Sequence, residues 1–123
     1  MIVKNILIAD DNRDFSSTLK LALEAEGYTV ALAANGREAV LVQRKTPADV
    51  LITDLAMPDS DGFEAIDAFR KEFPATKVVV VSGAKRLDAP VYLKAAELMG
   101  AHAAFRKPFD VEMLLEALKG LAP

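Results

Sequence analysis

The 123-residue chain has no cysteine, which excludes disulfides and thiolate metal sites and agrees with a cytoplasmic protein. It also has no excess of basic charge. Fifteen lysines and arginines against 18 aspartates and glutamates leave a net charge of −3, so no electrostatic footprint for nucleic acid is present. Long apolar runs are missing, and no segment is expected to span a membrane. Met1-Ile2-Val3 runs straight into a strand pattern, so no secretory leader is expected. Repeats, linkers and low-complexity stretches are absent, and the length fits one domain, residues 1–123. The sole histidine, His102, falls in a loop just before a strand and is read as surface decoration with no role.

What is present is a globular composition, 52% hydrophobic and 27% charged, arranged as short apolar runs that alternate with amphipathic stretches of helical length. That order calls for an α/β fold, a doubly wound parallel sheet of five strands with helices on both faces. The strands are Ile6 to Ala9, Thr29 to Ala33, Val50 to Thr53, Lys77 to Val81 and Ala103 to Arg106. The first helix carries Phe15, Leu19, Ala22 and Leu23 at helical spacing and stops at Gly27. The second starts at Asn35-Gly36, runs through Ala39 and Val40, and stops before Pro47. The third has Asp61 as candidate N-cap, turns Phe63, Ile66 and Phe73 to one side and ends near Pro74. Asp88 is a candidate cap for the fourth, which tolerates Pro90 in its first turn and ends at Gly100. The fifth shows Val111, Leu114, Leu115 and Leu118 as its apolar stripe.

In such a sheet all strands end on one edge, where open α/β folds bind their ligands. Asp10 and Asp11 follow the first strand, Asp54 the third, Ser82 the fourth and Lys107 the fifth. Asp54 is expected at a mouth of the sheet and not in its core, on a stiff connection that Met57-Pro58 keeps out of the strand ladder. Singly, each residue has a plain structural explanation: a helix cap for Asp10-Asp11, a loop hydroxyl for Ser82, a solvated charge for Lys107. Their coincidence at the ends of different strands is what points to chemistry. Three carboxylates held together stay ionised only around a shared cation, and hard oxygen ligands with room for water favour Mg²⁺.

These residues together resemble a response-regulator receiver domain of the two-component signalling family, the fold of the chemotaxis regulator. Asp10-Asp11 matches the family's acidic pair, Asp54 its phosphoacceptor, and Met57-Pro58-x-x-Asp61-Gly62 its loop motif. Ser82 matches its Ser/Thr and Lys107-Pro108-Phe109 its Lys-Pro-Phe motif, so the likeness covers essentially the whole chain. The resemblance implies the flavodoxin-like strand order 2-1-3-4-5. It implies that Asp54 takes a phosphoryl group from a sensor histidine kinase, a histidine phosphotransfer protein or a small acyl phosphate. It further implies Mg²⁺ bound by Asp11, Asp54 and the backbone carbonyl of Ala56, with Asp10 acting mainly through a water. Lys107 and Ser82 would contact the phosphoryl group, the Lys107-Pro108 bond would be cis, and output would pass to a protein partner through the face of the fourth helix, fifth strand and fifth helix. With no output domain expected after the fifth helix, the likeness is to the single-domain regulators.

The chain departs from the family at a few positions. Ala104 occupies the place of the usual switch aromatic, and Phe105, one step on, should face the opposite side of the sheet and pack beneath the final helix. Ala56 and Ala84 hold the two positions that tune phosphoryl lifetime, and Ser60 replaces an apolar loop residue. Other classes share part of the pattern. A Mg²⁺-dependent phosphohydrolase would need Asp-x-Asp-x-Thr, which Asp10-Asp11-Asn12-Arg13-Asp14 does not match. A nucleotide or flavin module would need a glycine- or hydroxyl-rich phosphate loop where this chain has two carboxylates. A degenerate receiver acting only as a binding scaffold is the remaining alternative, separable by a Mg²⁺-dependent phosphotransfer assay.

Overall fold

The computed structural model describes residues 3–55, 62–83 and 89–121. The strands are β1 (Asn5–Ala9), β2 (Thr29–Ala33), β3 (Val50–Asp54), β4 (Lys77–Ser82) and β5 (Ala103–Arg106). Between and after them come α1 (Arg13–Ala25), α2 (Gly36–Lys45), α3 (Gly62–Glu72), α4 (Ala89–Leu98) and α5 (Val111–Leu121). All pairings are parallel and the sheet order is β2-β1-β3-β4-β5, so the expected topology is the observed one. β3 and β4 each run one residue further than expected, taking in Asp54 and Ser82.

Alternation along the strands divides the core into two layers, as a period of two requires. Ile6, Ile8, Val50, Ile52, Val79 and Val81 face one side, where Leu19 and Leu23 of α1 and Leu114, Leu115 and Leu118 of α5 cover them. Leu7, Leu51, Val78 and Val80 face the other, against Ala39 of α2, Ile66 and Phe69 of α3 and Ala96 of α4. Phe69 is fully buried, whereas Phe73 packs only at the margin, so the main anchor of α3 lies between the residues that the spacing singled out. Asn12 caps α1 by accepting from the Phe15 amide, and Gly27, at φ +98°, makes the left-handed turn that ends it. The expected caps Asp61 and Asp88 lie outside the described residues.

Two polar side chains hold the sheet edge opposite the strands' carboxyl ends. Buried Gln43 donates to the Ala48 carbonyl and to Thr76 Oγ1, and accepts from the Ala48 amide, which ties α2 to the starts of β3 and β4. His102 lies at the surface, as expected, but is not without a role, which corrects that part of the expectation. Its Nδ1 accepts from the Val78 amide at 3.1 Å while its own amide donates to the Val78 carbonyl at 2.7 Å, closing the start of the β4–β5 ladder. Burial, with Arg70 and Lys77 nearby, holds the imidazole below its ordinary value of 6.5. The unfolded chain therefore takes up the proton first as the pH drops through 6.5, so the stability this group contributes is full above that point and is lost below it. Between about pH 7.5 and about pH 5.5, the urea midpoint should fall further in the wild type than in His102→Gln. Equal falls would refute the linkage.

Candidate phosphoacceptor and metal site

The carboxyl ends of β1, β3, β4 and β5 bring the expected residues to one edge. Oxygens of Asp10, Asp11 and Asp54 lie within 4.8 Å of one another, the sole such acidic cluster found among the described residues. Lys107 Nζ reaches Asp10 Oδ2 at 2.7 Å and Asp54 Oδ2 at 3.3 Å, joining the end of β5 to those of β1 and β3. The Lys107-Pro108 bond is cis, as expected. Asp54 is the last rung of β3, paired with Val81, and lines a groove at the strand ends as expected, though it is only 7% exposed and the Lys107 amine lies against it. Ala56, the expected carbonyl ligand, lies outside the described residues.

Asp10 is the most enclosed of the three. Burial pushes its carboxyl up, against the Lys107 hydrogen bond and the Asn12 amide that favour the charged form. Both of its oxygens are thus engaged by protein donors, Oδ1 by Asn12 and Oδ2 by Lys107, while Asp11 is exposed. An all-oxygen donor set of this charge fits a hard divalent cation. Ser82 Oγ is buried and has no hydrogen-bond partner among the described residues. A buried hydroxyl left so is costly and calls for a partner. The Lys107 amide donates to the Ser82 carbonyl at 2.6 Å, which sets the two residues side by side.

Two features of the site were not legible in the spacing. Phe15, seen in sequence only as part of an apolar stripe, places its ring centroid 3.9 Å from Lys107 Nζ. Phe109 stands edge-on to it at 6.0 Å. A groove of about 860 Å³ opens beside Asp54, walled by Asp11, Phe15, Thr18, Lys107 and Phe109. Contacts between residues 15 and 107 depend on the closed fold, and no local pattern encodes them.

A family model described as response regulator receiver domain matches residues 6–119. The chain belongs to this receiver-domain family. The receiver domain is 38% identical over 114 residues to a response regulator receiver protein of Anaeromyxobacter sp., covering 93% of this chain and 47% of that one. It is 28% identical over 123 residues to sporulation initiation phosphotransferase F of Bacillus subtilis, covering 100% of this chain and 97% of the relative. Among solved structures it is similar to the chemotaxis response regulator CheY4 of Vibrio cholerae, with a TM-score of 0.84, 30% identity and coverage of 97% and 98%. The receiver domain therefore spans about half of the Anaeromyxobacter protein and nearly all of the two others. Receiver domains are signalling modules and not enzymes in the usual sense. No helix among the described residues is long and apolar enough to cross a membrane.

Proposed function

We propose that this receiver domain accepts a phosphoryl group on Asp54 from a sensor histidine kinase or histidine phosphotransfer protein in the cytoplasm, in a Mg²⁺-dependent reaction, and signals by phosphorylation-dependent protein binding. The observation that carries it is the convergence of Asp10, Asp11 and Asp54 under the Lys107 ammonium. A carboxylate oxygen of Asp54 attacks phosphorus, the P–N bond of the phosphohistidine breaks, and its electron pair returns to the imidazole. Asp11, Asp54 and the backbone carbonyl of Ala56 would hold the metal directly, and Asp10, whose oxygens already serve protein donors, would act through a water. Bound Mg²⁺ supplies neutralisation of charge on the transferring group and on the clustered carboxylates. Lys107 offsets a further phosphoryl charge, and the unpaired Ser82 hydroxyl donates to a phosphoryl oxygen.

Output is assigned to the face of α4, β5 and α5. Ala104 and Phe105 lie in opposite core layers, Ala104 against the α3 side and Phe105 against the α5 leucines, so no aromatic occupies the switch position. The moving element is then backbone, at Ser82-Gly83 and at the start of α4.

The test is incubation with acetyl phosphate and Mg²⁺ followed by intact mass. A gain of one phosphoryl group, abolished by chelation with EDTA, is expected. No gain, or a gain insensitive to chelation, would leave the domain a binding scaffold or make the metal dispensable.

A further inference from the structure

The Lys107 ammonium is held by three groups, of which two are carboxylates and the third is the face of Phe15. We propose that Phe15 is a positioning residue for Lys107, a neutral platform that keeps the ammonium beside Asp54 when the carboxylates are engaged elsewhere. This rests on the proposed phosphoacceptor role of Asp54.

The reason lies in how each attraction responds to charge. Asp10 and Asp54 hold the amine only while their negative charge is available to it. A cation shared among the three carboxylates, or a phosphoryl ester on Asp54, reduces that hold. The attraction of a cation to an aromatic face comes from the ring's own quadrupole, which neither event removes, and it strengthens where water is excluded. Here the lysine side chain is 16% exposed, so little water competes. Lysine carries three donors on a flexible stem, and two carboxylate contacts leave one direction in which the amine can swing away. The Phe15 ring gives the amine a third contact, 3.9 Å from Nζ to the ring centroid.

The ring is itself braced. The Phe15 amide donates to Asn12 Oδ1 at 3.1 Å in the first turn of α1. Its ring meets Phe109 edge-to-face at 77°, and Phe109 in turn lies 5.6 Å from Phe105 of β5. Three aromatics from α1, the segment after β5 and β5 itself thus fix the platform relative to the strand that leads into Lys107. An aliphatic residue at position 15 would fill the space without supplying the quadrupole, which defines the informative variant, Phe15→Leu.

Two measurements on the full chain test the pairing. In the metal-free protein, the Lys107 Cε methylene protons should be shifted upfield by the Phe15 ring current. The shift should vanish in Phe15→Leu and persist in Phe15→Trp. With Mg²⁺ and acetyl phosphate, Phe15→Leu should be phosphorylated about three- to tenfold more slowly than wild type, and Phe15→Trp should stay within about twofold of it. In a Lys107→Ala background, Phe15→Leu should add no further loss, because the partner is gone. An unshifted methylene, a wild-type rate in Phe15→Leu, or an equal slowing with and without Lys107 would each overturn the proposal. A wild-type chain that takes up no phosphoryl group would instead sink the phosphoacceptor role, and the methylene shift would then decide the pairing alone.

Discussion

Asp54→Asn will reduce phosphorylation from acetyl phosphate to background while leaving the domain folded. Asparagine keeps the shape of the last rung of β3 but has no carboxylate oxygen to attack phosphorus. Asp10 and Asp11 are poor substitutes. Both Asp10 oxygens are engaged, by Asn12 and Lys107, and Asp11 is exposed at the rim. The fold should not suffer, because the substitution removes one of three clustered negative charges. The Asp54 charge is one of the influences that raise the Asp10 carboxyl, so that carboxyl should move back toward its ordinary range in the variant. Intact mass and urea denaturation, run on the same preparation, check both halves. A variant that still gained one phosphoryl group at the wild-type rate would move the phosphoacceptor to another residue.

Gly62→Ala should cost about 1–3 kcal/mol in stability and slow phosphorylation as well. Gly62 opens α3, and its amide donates to the Leu55 carbonyl at 3.0 Å, so the helix start is drawn against the end of β3. A methyl there would come within 2.6 Å of Leu55 Cα and closer still to the Asp54 carbonyl oxygen. These are backbone atoms, and no flexible side chain can yield. The strand end is also pinned from its other side, where the Leu55 amide donates to the Val81 carbonyl at 3.2 Å. Whatever gives way, Asp54 is expected to move with it, and its position relative to Lys107 and Asp10 is what the proposed phosphoryl transfer depends on. A lower urea midpoint together with a slower rate is expected. An unchanged midpoint would mean that α3 shifts without resistance.

Much of this could be read before the structure, since hydrophobic periodicity and glycine and proline punctuation are local. The five strands and five helices were legible for that reason, and so were Asp10, Asp11, Asp54, Ser82 and Lys107, each of which stands at the end of an apolar run. What escaped was set by contacts distant in sequence. Gln43 looks like a polar residue on an amphipathic helix, and Thr76, 33 residues on, completes with nearby Ala48 the bonds that explain why it is buried. His102 looked idle because its partner, the Val78 amide, belongs to another strand. The enclosure of Asp54 depends on an amine that arrives from the far end of the chain. The role of Phe15 is of the same kind, since its apolar spacing is satisfied equally by leucine.

The bond from the Lys107 amide to the Ser82 carbonyl has a consequence for anyone wishing to build this chemistry into a different protein. Hydroxyl and ammonium are carried by two adjoining strand ends joined through their main chains, so neither can be aimed separately. Grafting a serine and a lysine onto arbitrary positions of a host sheet would reproduce the inventory but not the alignment. The transplantable module is the paired ends of β4 and β5 with their register, Val81 opposite Phe105 and Ser82 opposite Arg106, and a host would have to supply that pairing before its side chains were chosen.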